Sequence, residues 1–224
     1  MHIEPGIVAG PKMGLAYGTA AAAAAYTVKL AADDLRTHSP ASFLLRTAIA
    51  VIGVFVSFEV LPHFAVGISE VHFILGTTLF LILGAAPSAI GLALGLLIQG
   101  MFFAPTDMPM YFVNVSTLLW PLFAIDALAK RVIPAATAYV DLTYLDVLKM
   151  SLVYQGGVVA WVAFWALYGQ GMGADNLASI ASFAAAYVVV VLVEPIADLA
   201  ALAIAKSLRA GGQGSLLNRR LYQA

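Results

Sequence analysis

Apolar residues fall along this chain in long runs, and seven stand out: 14–32, 43–61, 71–83, 88–103, 111–128, 147–167 and 177–205. Several approach the roughly 20 residues that an α-helix needs to cross a bilayer. The pattern predicts an all-α polytopic membrane protein with about seven transmembrane helices. The interruptions supply the breaks: DDLRTHSP closes the first run, Pro40 being unable to continue a helix, and Pro62 follows the second. GAAP separates the short third and fourth runs, which predicts a tight helical hairpin. Pro121 interrupts the fifth run, and Glu194-Pro195 predicts a kink in the last. Residues 130–146 form the longest loop, expected to lie partly along the membrane interface. No repeat or second domain is visible. The chain reads as one integral membrane domain, 1–224, with an amino-terminal segment 1–13 and a cytoplasmic tail 206–224.

Composition agrees with the pattern. Hydrophobic residues make up 62% and charged residues 10% of the chain, with a mean hydropathy of +0.94, whereas charged residues run at about 25% in soluble domains. Cysteine is absent, which excludes disulfides and thiolate metal sites. The net charge of -1 implies no nucleic-acid partner. Charge placement is more informative than its sum. With the amino terminus outside, Lys29, Arg36, Arg46, Lys130, Arg131, Lys149, Lys206, Arg209, Arg219 and Arg220 fall on the cytoplasmic side and Lys12 alone outside, as the positive-inside bias requires. The first run is long enough to span and is preceded by HIEPGIVAGP rather than a basic cluster, so it is expected to be a retained helix, not a cleaved signal. Its Gly14/Gly18 and Ala20/Ala24 pairs put small residues at one-turn spacing, which permits close helix approach in lipid.

Candidate chemistry begins at Met1-His2. A free terminal amine, the His2 amide and the His2 imidazole offer three nitrogens that close small chelate rings on one ion, and all-nitrogen planar ligation suits ions such as Ni(II) or Cu(II). A fourth nitrogen would complete the plane. Ionisable residues in membrane segments are functional candidates by default, and His72, at the outer mouth of the third run, is one. Read as helical, it lies one turn before Gly76 on the face of Phe80 and Leu83; it can be a ligand or an interfacial histidine without a role. His63 is expected to be idle in an outer loop and His38 solvated in a cytoplasmic one. Met101, Met108 and Met110 read as packing. No GxxxxGK[ST] motif occurs, so any ATP hydrolysis must come from another chain, and no nucleophile and base stand at recognisable spacing; the chain is not expected to be an enzyme. Two alternatives stay open: a haem-binding membrane subunit of a respiratory complex, using His63 and His72, and an ion-coupled secondary carrier, using Glu194 or Asp126.

The MHI start followed by Glu4 and Gly6, the G-x-S-x-x-H-x-x-x-G segment of Gly67, Ser69, His72 and Gly76, and the leucine-rich hairpin ending in LLIQGMFF together resemble the CbiM/NikM family. These are the substrate-binding membrane components of nickel and cobalt energy-coupling factor transporters. The resemblance covers Met1 to about Trp120. It implies a seven-helix protein of the plasma (inner) membrane, with Co(II) or Ni(II) as transported substrate and no organic cofactor. It further implies metal ligation by Met1, His2 and His72, and partners in a transmembrane coupling subunit and cytoplasmic ATPase subunits. Residues that could orient the imidazoles from outside the ligand set are Ser69, Thr77, Gln99 and Asn114. The sequence departs from the family in two places. Pro5 separates Glu4 from Gly6 where the family has an acidic residue directly before the glycine. APTDMPMYFVN replaces the usual His-Gly-Gly and Gly-Ala-Asn stretch, with Asn114 matching the asparagine.

The charge bias gives the first test: a reporter fused after Ala224 is expected on the cytoplasmic side and one inserted near Asp107 outside, read by protease or thiol-reagent accessibility in intact cells.

Overall fold

The computed structural model describes residues 2–134, 136–208 and 217–222; Met1, the first predicted ligand, lies outside them. Seven α-helices and one small hairpin follow in order: α1 (Met13–Leu35), α2 (Pro40–Phe55), β1 (Phe64–Val66), β2 (Ser69–Val71), α3 (Gly76–Leu83), α4 (Ala85–Phe102), α5 (Tyr111–Val132), α6 (Tyr144–Gln170) and α7 (Ala174–Ser207). The starts are set locally. The Ser39 hydroxyl accepts from the Ser42 amide with Pro40 at the first helical position of α2, the arrangement in which proline's missing N–H costs nothing. Thr143 and Asp146 exchange side-chain and backbone hydrogen bonds as a capping box for α6.

Five helical stretches are long and apolar enough to cross a membrane: Pro40–Val60, Ala85–Phe102, Pro105–Val132, Tyr144–Gln170 and Ala174–Ser207. This is a membrane protein. Helix α5 sits at the centre, burying Val113, Leu118, Leu122 and Ile125 completely, while α7 is peripheral and exposes Val188, Val189, Leu192 and Ile196. Helices α2 and α4 cross with almost no side chain between them: a Cβ at Gly91 would overlap Ala50, and one at Gly95 would come within 2.6 Å of Val54 Cγ1. By contrast, Cβ atoms at Gly14 and Gly18 would meet nothing within 4 Å, so that small-residue face of α1 is turned away from the rest of the described chain.

Several expectations change. The run 71–83 is not one helix. It is the end of a hairpin strand, an extended stretch and then α3, whose eight residues rise only about 12 Å, too short to cross a bilayer core. The fold is therefore helical with one two-stranded antiparallel sheet, not purely all-α. Pro121 does not interrupt its run; α5 continues through Pro121 as α7 does through Pro195. The 130–146 stretch packs on the bundle through Ile133, Ala138, Tyr139, Val140 and Leu142, which belong to the core. At that same end Arg46 is fully buried between Asp34 and the Leu83 carbonyl, and Arg220 stacks 5.0 Å from the Tyr139 ring.

Replacing Gly91 by valine inserts a branched side chain where Ala50 already stands, and overpacking of this kind costs about 1–3 kcal/mol. The Gly91→Val protein should melt at lower temperature than wild type in detergent, whereas Gly14→Val should not.

Candidate metal centre

The centre is built on the hairpin. Strands β1 and β2 pair Phe64 with Val71, Ala65 with Glu70 and Val66 with Ser69. Gly67 turns the chain at φ +64°, so close to α7 that a Cβ would collide with the Ser179 carbonyl; glycine is required there on both counts. The amino-terminal segment then adds to β2 as a third extended strand. Ile3 bridges to Ser69, the Glu70 amide donates to the His2 carbonyl at 2.9 Å, and the Glu4 amide donates to the Ile68 carbonyl at 3.1 Å. Two side chains complete the seat: the Ser69 hydroxyl donates to the His2 carbonyl at 3.0 Å, and Asn114 Oδ1 accepts from the Ile3 amide at 2.8 Å. Farther along, Gln170 Nε2 donates to the Gly6 and Ile7 carbonyls. His2 and Ile3 are buried as a result.

Side chains alternate across a strand, so Glu70 and His72 share a face. His2 Nδ1 and His72 Nε2 both point at one oxygen, Glu70 Oε2, at 2.8 and 2.7 Å. The ligand-type atoms of these three residues lie within 4.8 Å of one another. The two imidazoles meet edge to face, centroids 4.9 Å apart. Phe58 closes one side, 6.0 Å from the His2 ring and 5.4 Å from the His72 ring. His63 stacks on His72 at 4.8 Å and 13°. Asp107 Oδ2 stands 3.7 Å from His2 Nδ1.

Burial favours the uncharged imidazoles. It pushes both the His2 and the His72 pKa down, and the hydrogen bonds from His2 and then His72 hold the Glu70 carboxyl well below its usual range. Glu4 is pushed up, first by burial and then by Glu70 and Asp107. Two imidazoles with a carboxylate between them are a group that could hold a metal ion.

Of the residues expected from sequence, His2 and His72 are brought together, and Ser69 and Asn114 hold the strand that carries His2. Gln99 does not join them; it donates to Glu59 at 3.3 Å. The Thr77 hydroxyl is buried with no hydrogen-bond partner among the described residues. His63 stacks on His72. His38 is not merely solvated; its Nδ1 lies 3.2 Å from Asp34 Oδ1 at the far end of α1. Gly76 lies so close to the Tyr154 ring that a Cβ there would overlap it. Glu70 and Asp107 were missed: the alternation of Glu70 and His72 carried the signal, but only for a strand.

A family model described as the cobalt uptake substrate-specific transmembrane region, CbiM, matches residues 2–211. The chain belongs to the CbiM family. The match runs through the amino-terminal strand, the hairpin and all seven helices, so the CbiM resemblance extends well beyond the first half of the chain. No curated protein and no solved structure gives a significant match. The chain is thus a membrane component of a cobalt uptake family, with a transported metal ion as the kind of substrate such a component serves.

Asn114→Ala would leave the Ile3 amide without its acceptor inside the core, at a cost of about 1–3 kcal/mol. Faster hydrogen exchange at Ile3 and Glu4, with α5 unchanged, is the expected result by mass spectrometry.

Proposed function

We propose that this chain is the substrate-binding component of an ATP-driven uptake transporter for Co(II) or Ni(II), capturing the ion from outside through the amino terminus, His2 and His72. The observation that carries the reading is the convergence of His2 Nδ1 and His72 Nε2 on one point, now held by Glu70 Oε2. Metal–nitrogen bonds are about 2 Å long, so an ion placed at that point needs each imidazole to close in by less than about 1 Å. Nδ1 is also the nitrogen of His2 that closes a six-membered ring with its own amide, and the Met1 amine adds the adjoining five-membered ring. The arriving ion displaces the Glu70 carboxylate, which is a quarter exposed and has a way out towards the mouth. Glu70 and Asp107 remain near enough to offset the added charge. A site saturated by four nitrogens retains its ion without activating water, as capture requires and catalysis does not.

The membrane is the plasma (inner) membrane, with the amino terminus outside and the tail cytoplasmic; α3 does not cross it alone but together with the non-helical stretch 72–75 that precedes it. The partners are a transmembrane coupling subunit and cytoplasmic ATPase subunits. The alternatives fit less well. His63 and His72 lie stacked face on face and cannot clamp a haem between them. Glu194 is engaged by three donors and Asp126 by Lys130 at 2.6 Å, which leaves neither free as a carrier's ion site.

Metal analysis of the purified protein tests the reading. The protein with an unmodified Met1 should retain about one Ni(II) or Co(II) per chain. One extra residue before Met1, or Met1 acetylation, should abolish retention because the amine becomes an amide, and His72→Ala should do the same while His38→Ala does not. Full loading of an extended protein verified intact by mass spectrometry would sink the amino-terminal site, and full loading of His72→Ala would remove its fourth ligand.

A further inference from the structure

Between β2 and α3 the chain runs non-helically through residues 72–75 into the bundle. Ile74 is completely buried there, and its amide cannot be served by water. At Leu75 the backbone turns through the left-handed region, φ +57° and ψ +31°, which is strained for a residue with a Cβ and persists only where the surroundings enforce it. The enforcing group comes from 119 positions farther along. Glu194, on the inward face of α7 and fully buried, accepts from the Ile74 amide through Oε1 and from the Leu75 amide through Oε2, the latter at 3.0 Å. Gln155 of α6 donates its Nε2 to Glu194 Oε2, and the Tyr187 hydroxyl of α7 donates to Gln155 Oε1 at 2.6 Å. The next residue, Gly76, is pressed against the Tyr154 ring. Two helices therefore grip the turn that begins two residues after His72.

We infer that Glu194 is a positioning residue for metal capture: its carboxylate, oriented by Gln155 and Tyr187, fixes the 74–75 turn and thereby aims His72 at the point shared with His2. Asp198, one turn farther along α7 and equally buried, is the natural comparison, because it accepts from the Thr78 hydroxyl inside α3 and holds no part of the segment that carries His72. A purely structural role for buried acids in α7 would make the two equivalent; positioning of His72 makes them different.

The inference rests on His72 being a ligand, and the experiment separates the two. Ni(II) titration of detergent-purified protein with its unmodified amino terminus gives the dissociation constant, and the visible absorption of bound Ni(II) reports the ligand geometry. Glu194→Gln, which retains the shape but cannot accept from both amides while facing Gln155, should raise the Kd by about tenfold or more, the size found when groups orienting metal ligands are removed, and should shift the absorption band. Tyr187→Phe, a lighter change that serves if Glu194→Gln does not fold, should raise the Kd in the same direction by less. Asp198→Asn should leave Kd and spectrum as in wild type even where it lowers the melting temperature. Wild-type affinity and spectrum in Glu194→Gln, or in Tyr187→Phe where that is the variant that folds, would overturn the inference, as would an equal loss in Asp198→Asn. Wild-type binding by His72→Ala would instead refute the ligand assignment on which it stands.

Discussion

A backbone that leaves the helix inside a membrane protein must find partners for amides that water cannot reach. This chain leaves it between Val60 and Gly76, the stretch in which the hairpin and His72 are placed. The hairpin meets the requirement by strand pairing and by taking up the amino-terminal segment as a third strand. The descent from His72 to Gly76 has no strand beside it and meets the requirement with a carboxylate, Glu194, supplied by α7. A buried carboxylate is costly unless donors surround it, and the two amides and Gln155 are those donors. The acid and the broken backbone each make the other tenable, and the position of His72 follows from their agreement.

A second interdependence governs the centre itself. His2 and His72 come from segments with no rigid covalent relation, one an extended strand and the other a strand end, and each is seated by its own contacts: Ser69 and Asn114 for the first, Phe58 and His63 for the second. The carboxylate of Glu70 gives both imidazoles a common hydrogen-bond acceptor, matching His2 Nδ1 and His72 Nε2, while His2 Nε2 and His72 Nδ1 are buried without a partner among the described residues. It also holds the two nitrogens on a common point, 2.8 and 2.7 Å from one carboxylate oxygen.

The sequence was most readable where the apolar runs were long. Helices α2, α4, α5, α6 and α7 lie close to the runs that announced them, because uninterrupted apolar length has few other outcomes in a membrane. It was least readable at 71–83, where a short apolar run suits a helix or a strand about equally. Reading it with a helical period put His72 on a face with Phe80 and left Glu70 unnoticed; the strand period puts Glu70 and His72 side by side. Pro121 was over-read as an interruption, since tertiary packing can carry a helix through a proline. Glu194 was noticed as an expensive residue, but its partners are backbone amides 119 and 120 positions away, which leave no mark in the side-chain pattern. Ser69 and Asn114 hydrogen-bond the strand that carries His2, whereas Gln99 donates to Glu59 and the Thr77 hydroxyl has no hydrogen-bond partner among the described residues.

The threading of the strands also has a bearing on how the fold is completed. His2 is seated by Ser69, 67 positions away, and the neighbouring Ile3 amide by Asn114, 111 positions away; the turn that follows His72 is held by Glu194, 119 positions beyond Leu75. Contacts of such long sequence separation carry a large loop-closure cost. The small hairpin and the strand beside it are thus completed only once segments from almost the whole described chain have come together.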